Sequence, residues 1–261
     1  MKKRNTVKTI LIVLCIILLC VFLYSGYRII STLRGYKEAE KTYTEVANQF
    51  ATVVAAPTPV PVEQQGDGID PEVSPLHIDF AGLRAQSADY VAWIYGPNTA
   101  INYPVAYTSD NFYYLDHIPG EIQNANGTIF IDCRNASDFS DQNTCIYGHN
   151  MNDGSMFASL RNYRDESYYP EHKVIYLSTP QFNYRIDLIG GFITEPTSFA
   201  YAMNFDSPEQ FMGHIELVRD LSTFKSDVQV KETDKIVTLS TCTYERDDGR
   251  YVVVGKLTRI H

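Results

Sequence analysis

The sequence predicts a mostly-β domain, a closed and largely antiparallel barrel with a few inserted helices, carried behind an N-terminal membrane anchor and stalk. Three observations predict it. Short runs rich in β-branched and aromatic residues recur from Tyr90 to Val254, separated by Gly, Pro, Asn and Asp. Helical periodicity is confined to a few stretches, of which Ser207–Ser222 is the clearest within the domain. An apolar run preceded by basic residues opens the chain.

That opening stretch is taken first. Lys2, Lys3, Arg4 and Lys8 precede the unbroken apolar run Ile10–Tyr24, which resumes at Ile29 after Ser25-Gly26-Tyr27-Arg28. The run exceeds a signal-peptide core, and Cys20–Ser25 offers no pair of small residues at alternate positions for cleavage. Bulky Leu19 before Cys20 argues against a lipoprotein site. An uncleaved anchor over Thr9–Ile30 is expected, within a first segment 1–33 whose basic tip stays inside the cell. Everything after it then lies outside. Arg34–Val54 carries Tyr36, Tyr43, Val46, Ala47, Phe50 and Val54 at helical spacing among charged residues, and reads as a solvated stalk helix. The Pro-rich stretch 55–75 has too few apolar residues to fold and reads as a semi-rigid spacer. The domain proper is placed at 76–261.

Composition sets limits on that domain. Hydrophobic residues make up 44% of the chain, ample for a core, and 19 Tyr against one Trp suit an extracellular β-rich protein. A formal net charge of −9 gives no general attraction to nucleic acid, which is excluded as a partner. Five cysteines do not form a disulfide framework. Cys15 and Cys20 sit in the apolar run, a Cys133–Cys145 pair across a hairpin stays open, and Cys242 is left as a free thiol.

Along the domain, Phe80–Gln86 reads as a short helical turn and Tyr90–Tyr95 as a strand closed by Gly96-Pro97. Ile101–Tyr107 is the next strand, and Asp110–Leu115 a turn opened by an Asp cap. Thr128–Asp132 and Thr144–Tyr147 are strands flanking a polar loop, and Val174–Ser178 and Tyr184–Ile193 form a further pair. Ser207–Ser222 has a Ser cap, Pro in the first turn and Phe211, Ile215 and Val218 on one face, so it is helical.

The chemistry concentrates in Lys235–Leu257. Ile236–Cys242 and Tyr251–Val254 are β-type runs joined through Asp247-Asp248-Gly249. Alternation puts Thr238, Ser240 and Cys242 on one face, so the cysteine ends a strand on its polar side. A hairpin would bring Arg250 beside it, and a fixed positive charge favours the nucleophilic thiolate. The plainer reading, a buried small apolar side chain and a solvated charge, is weakened by that polar face. The base is sought among six histidines. Only His149 follows directly on a strand, with Gly148 letting the backbone turn.

These residues match a family. YGHNM (Tyr147–Met151), TLSTC (Thr238–Cys242) and RYVVVGKL (Arg250–Leu257) resemble, in order, the His, Cys and Arg segments of sortases, the membrane-anchored cysteine transpeptidases of Gram-positive bacteria. DYVAWIYGPNTAINYPV (Asp89–Val105) and GTIFIDCRN (Gly127–Asn135) resemble class B segments, and the helix Ser207–Ser222 fits the helix that class carries between its sixth and seventh strands. The resemblance covers Asp79 to Leu257. It implies an eight-stranded sortase barrel with His149, Cys242 and Arg250 as catalytic set. It also implies a substrate groove using Asn111, Leu115, Thr197, Tyr201 and Ser240.

The implied reaction starts with attack of the Cys242 thiolate after the Thr of a C-terminal sorting signal of Asn-Pro-x-Thr or Ser-Pro-x-Thr type. His149 serves as acid and then base, and Arg250 with backbone N–H groups after Cys242 stabilises the oxyanion. An amine of a peptidoglycan precursor resolves the thioacyl enzyme. No metal or organic cofactor is implied. Two departures stand out: a Cys242–Arg250 loop shorter than in some class B members, and Thr243 where an acid is usual.

Three rival readings remain. A hydrolytic cysteine peptidase would place its Cys before its His, the reverse of this order. A pilin-polymerising sortase often adds a lid and a C-terminal span, whereas four residues follow Leu257 here. A stalked adhesin would give Cys242, His149 and Arg250 no reason to converge.

Overall fold

The computed structural model describes residues 2–54, 72–242 and 248–261. Two compact units divide at Lys41/Thr42. Most of the expected spacer (55–71) and residues 243–247, including Thr243, lie outside the described residues.

The first unit is helical. Helix α1 (Lys2–Phe50) runs on into the second unit. It is long and apolar enough to cross a membrane, and Ile10, Leu14, Phe22 and Ile29 are more than half exposed. The segments read as anchor and stalk are one continuous helix, in which Gly26 costs only about 1 kcal/mol.

The second unit holds the barrel. In chain order follow β1 (Ala51–Val53), β2 (Leu76–Ile78), α2 (Phe80–Gln86), β3 (Tyr90–Tyr95), β4 (Asn102–Ala106), β5 (His117–Ile118) and β6 (Ile122–Gln123). Then come β7 (Ile129–Ile131), β8 (Asn143–Tyr147), β9 (Val174–Ser178), β10 (Asn183–Thr194), α3 (Pro208–Leu221), β11 (Lys235–Cys242) and β12 (Arg250–Ile260). Eight strands close in the order β10-β12-β11-β8-β7-β4-β3-β9. Pairing is antiparallel except at β11/β8 and β4/β7. All five cysteines are free, so Cys133 and Cys145 are not joined.

Apolar clusters cover the outer wall on two sides. Phe211, Ile215 and Val218 of α3 pack with Ile189, Phe192, Ile236, Val252 and Val254. The helix is started as its sequence demands, with the Ser207 hydroxyl accepting from Gln210 N–H and Pro208 at the first turn. On the other side Val46 and Phe50, from the end of α1, pack with Leu76, Leu83, Tyr90, Trp93 and Phe130.

This second cover corrects the expected stalk. Tyr43, Val46 and Phe50 are at most 6% exposed, and Thr42–Phe50 belongs to the barrel unit. The apolar stripe read as solvated is a docking face, because three large side chains on one side of a helix gain more by burial than in water. The chain then adds β1, paired antiparallel to β2 through Ala51–Ile78, Thr52–His77 and Val53–Leu76. The folded domain therefore begins near Thr42 rather than at Leu76, and the segment 55–71 departs from and returns to one small two-stranded sheet.

Candidate active site

The antiparallel register of β11 and β12 pairs Cys242 directly with Arg250. Thiol and guanidinium therefore leave neighbouring backbone positions, as the hairpin reading required. Strand β8 lies parallel to β11 on the other side, with Tyr147 opposite Ser240. Parallel neighbours exit at the same end of a barrel. His149 and Cys242, each two residues past that matched pair, thus emerge together.

The turn after β8 depends on a glycine. A Cβ at Gly148 would sit 2.5 Å from Ile129 Cδ1 and 2.7 Å from the Phe157 ring, a clash any larger residue would have to relieve by displacing those side chains. Gly148 N–H donates to Ser240 O at 3.1 Å, and the Asn150 amide donates to Cys242 O at 2.9 Å. The histidine and cysteine backbones are stitched together on both sides of the imidazole. His149 Nε2 lies 2.7 Å from the Leu115 carbonyl. A carbonyl only accepts, so Nε2 carries a proton and Nδ1 is the nitrogen available for transfer. Arg250 Nη1 donates to the carbonyls of Asp248 and Gly249, both at 3.1 Å, which seats the guanidinium at the mouth of the hairpin.

A groove of about 380 Å³ joins these groups. His149, Cys242 and Arg250 line it together with Asn111, Leu115, Tyr201 and Ser240. Thr197 does not. Its side chain is exposed, in a turn where Ser198 N–H donates to Glu195 O, and Pro196 is the residue that meets the groove. Tyr201 and Ser240 share a hydroxyl–hydroxyl bond of 2.9 Å, and burial pushes the Tyr201 hydroxyl up to about 12, so it stays a donor at any physiological pH.

Sequence reasoning missed one wall. Phe112, Thr128, Phe130 and Tyr147 also line the groove. Behind them lies a carboxylate, Asp132, with no exposed surface. It accepts from the Tyr147 hydroxyl at 2.7 Å and from Arg134 through Nε at 3.0 Å and Nη2 at 2.7 Å. Burial alone would raise this carboxyl, but the Arg134 fork, with Tyr147 and Asn111, holds it down to about 2. The Asn111 amide oxygen in turn accepts from Cys133 N–H at 2.8 Å. The available signal was Asp132-Cys133-Arg134, an acid and a base two apart, hence on one face, at a strand end.

Comparisons with known proteins give the family. A model of the sortase domain matches residues 95–258. Sortase B of Listeria monocytogenes is 35% identical over 246 residues, 94% of this chain and 95% of that protein. A Bacillus anthracis sortase B structure, in complex with AAEK1, superposes with a TM-score of 0.72 at 30% identity, covering 87% of this chain and 99% of that one. A Staphylococcus aureus sortase B–substrate complex gives 0.66 at 31% identity over 69% and 84% of the two chains. With a closed eight-stranded barrel, a cysteine and an arginine in register and a histidine at the same barrel end, the chain belongs to the sortase family of cysteine transpeptidases, and within it to class B.

Proposed function

We propose that this chain cleaves a C-terminal sorting signal after its Thr and transfers the protein so released to an amine of a cell-wall precursor. The observation that carries the reading is the Cys242–Arg250 register pair beside a histidine whose Nε2 is already occupied by a backbone carbonyl. In this reading the Cys242 sulfur attacks the Thr carbonyl carbon, forming a C–S bond and a tetrahedral oxyanion. Arg250 donates to that oxygen, joined by the backbone N–H after Cys242, which lies outside the described residues. Collapse breaks the C–N bond as protonated His149 gives its Nδ1 proton to the departing amine. The incoming amine then attacks the thioacyl carbon, loses its proton to neutral His149, and expels the thiolate.

Asn111, Leu115, Tyr201 and Ser240 are assigned to holding the peptide. Thr197 would reach it only by a rearrangement of its turn. An Asn-Pro-x-Thr or Ser-Pro-x-Thr peptide is the expected ligand, and a sortase B solved in complex with triglycine supports an amine acceptor of that kind. The apolar run of α1 is assigned as a single-pass anchor with the N-terminus inside and the catalytic domain outside, on the basic residues that precede it.

The test is incubation of the chain with each peptide, with and without triglycine, followed by intact mass. A thioacyl adduct on Cys242 and a triglycine-linked product are expected. Hydrolysis with no dependence on the amine would replace transfer by peptidase activity, and cleavage elsewhere than after Thr would reject the signal.

A further inference from the structure

We propose that Tyr43, on the last turns of α1, is a positioning residue for the transpeptidase groove, acting through Thr128; the inference rests on the sorting-peptide reading above for its kinetic consequence. Tyr43 is 84 residues from its partners in sequence and was expected on a solvated helix, yet it is 6% exposed. Its hydroxyl donates to Gly127 O at 2.6 Å and lies 3.0 Å from Thr128 Oγ1. Thr128 lines the groove; its Oγ1 donates to His117 O at 2.7 Å and its N–H donates to Tyr114 O at 2.8 Å.

Three pieces of chain meet at this point: the end of α1, the residues leading into β7, and the segment 113–118. That last segment supplies both the Leu115 side chain in the groove and the Leu115 carbonyl that holds His149. The crossing is tight. Gly127 sits at φ +56°, and a Cβ there would come within 2.5 Å of Tyr114 O and 2.7 Å of Leu115 O. No side chain at Gly127 can therefore brace the 113–118 segment from within. The bracing comes from outside, where one phenol reaches the carbonyl of Gly127 and the hydroxyl of Thr128 together. Two hydroxyl protons serve three close oxygen contacts, so removing the phenolic hydroxyl leaves Gly127 O short of a donor and leaves Thr128 Oγ1 held by His117 O without its second contact.

The ring has a separate task. It packs edge-on against Tyr103, centroids 5.0 Å apart at 87°. Tyr43→Phe keeps that contact and removes only the hydroxyl, which makes it the informative substitution.

Two readouts on the full-length chain test the proposal. Amide deuterium exchange needs no substrate: Tyr43→Phe should speed exchange over 112–130 and leave β10–β12 unchanged. With the sorting peptide, KM should rise about tenfold at a kcat, counted per titratable Cys242, within about threefold of wild type. A loss of folded protein alone would lower the titratable fraction and leave KM where it was. Thr128→Val should raise KM likewise, and adding Tyr43→Phe to it should cost little more. Unchanged exchange over 112–130 overturns the proposal whatever the peptide assay gives. So does unchanged KM in an active chain, or losses that multiply in the double variant. A wild-type chain that exchanges as expected but cleaves no peptide counts against the sorting reading alone, because the bracing is then still read directly.

Discussion

The hairpin β11–β12 and the clasped end of α1 are both essential walls of one domain, yet they differ in how their contacts are encoded. In the hairpin the partners are close in sequence, Cys242 and Arg250 being eight positions apart and joined by turn residues. Local rules of alternation and turn chemistry suffice to bring them together. The end of α1 has a legible stripe of Tyr43, Val46 and Phe50, but its partners lie at Leu76, Leu83, Tyr90 and Phe130. A helical stripe says which face is buried and nothing about what buries it.

The contrast can be broken most sharply at the thiol. Cys242→Ala should abolish cleavage and transfer, whereas Cys133→Ser should keep turnover, measured by peptide cleavage. Cys145→Ser should also keep turnover per folded molecule while losing about 1–3 kcal/mol in denaturant, because its side chain is fully buried in the core under α3 and would carry a hydroxyl. Activity in Cys242→Ala would remove the hairpin from the chemistry.

Truncation tests the other region. A chain starting at Leu76 loses the buried side chains of Val46 and Phe50, each worth about 1.5–3 kcal/mol, and the partner of β2. That loss is comparable with the whole stability of a marginal domain. Such a chain should aggregate or melt well below one starting at Thr42, and equal melting of the two would show that the helix end merely rests on the barrel.

Arg250→Lys comes next in size. Lysine keeps the charge and loses the planar fork, so a role in orienting the oxyanion predicts a fall of about 10²–10³ in kcat/KM. Near-normal turnover would leave only the charge effect.

The smallest effect concerns Asp132. Its folded-state pKa of about 2 lies below the ordinary 3.8, so the unfolded chain binds more protons between those values. Its contribution is therefore present above about pH 4 and fades as pH falls toward 2. Asp132→Asn should be less stable than wild type at pH 7, with the gap closing by pH 2 in denaturant titrations. A gap independent of pH would mean that Asp132 works through packing rather than charge.

Strands were legible wherever β-branched and aromatic residues alternated between turn residues, as at Tyr90–Tyr95 and Lys235–Cys242. The 3-10 turns over Ala158–Glu171 were missed because their tyrosines, charges and Pro170 follow no helical or strand period. At the site, strand ends and polar faces pointed to Cys242, His149 and Arg250. The atom that fixes the histidine could not be read, because it is the Leu115 carbonyl and every residue has one. Spacing also does not resolve which residue of the 195–198 turn meets the groove, and there Pro196 lines it rather than Thr197.

The clasp between β1 and β2 changes what the segment 55–71 connects. Its two ends leave from strands paired to each other, and Val54 N–H donates to Pro75 O at 2.8 Å just beyond them. Contact between the chain before and after it is thus made by the strand pair itself. A protease cutting within 55–71 would produce two polypeptides still held by the helix face and the strand pair. The catalytic half would stay bound to the end of α1 through those contacts.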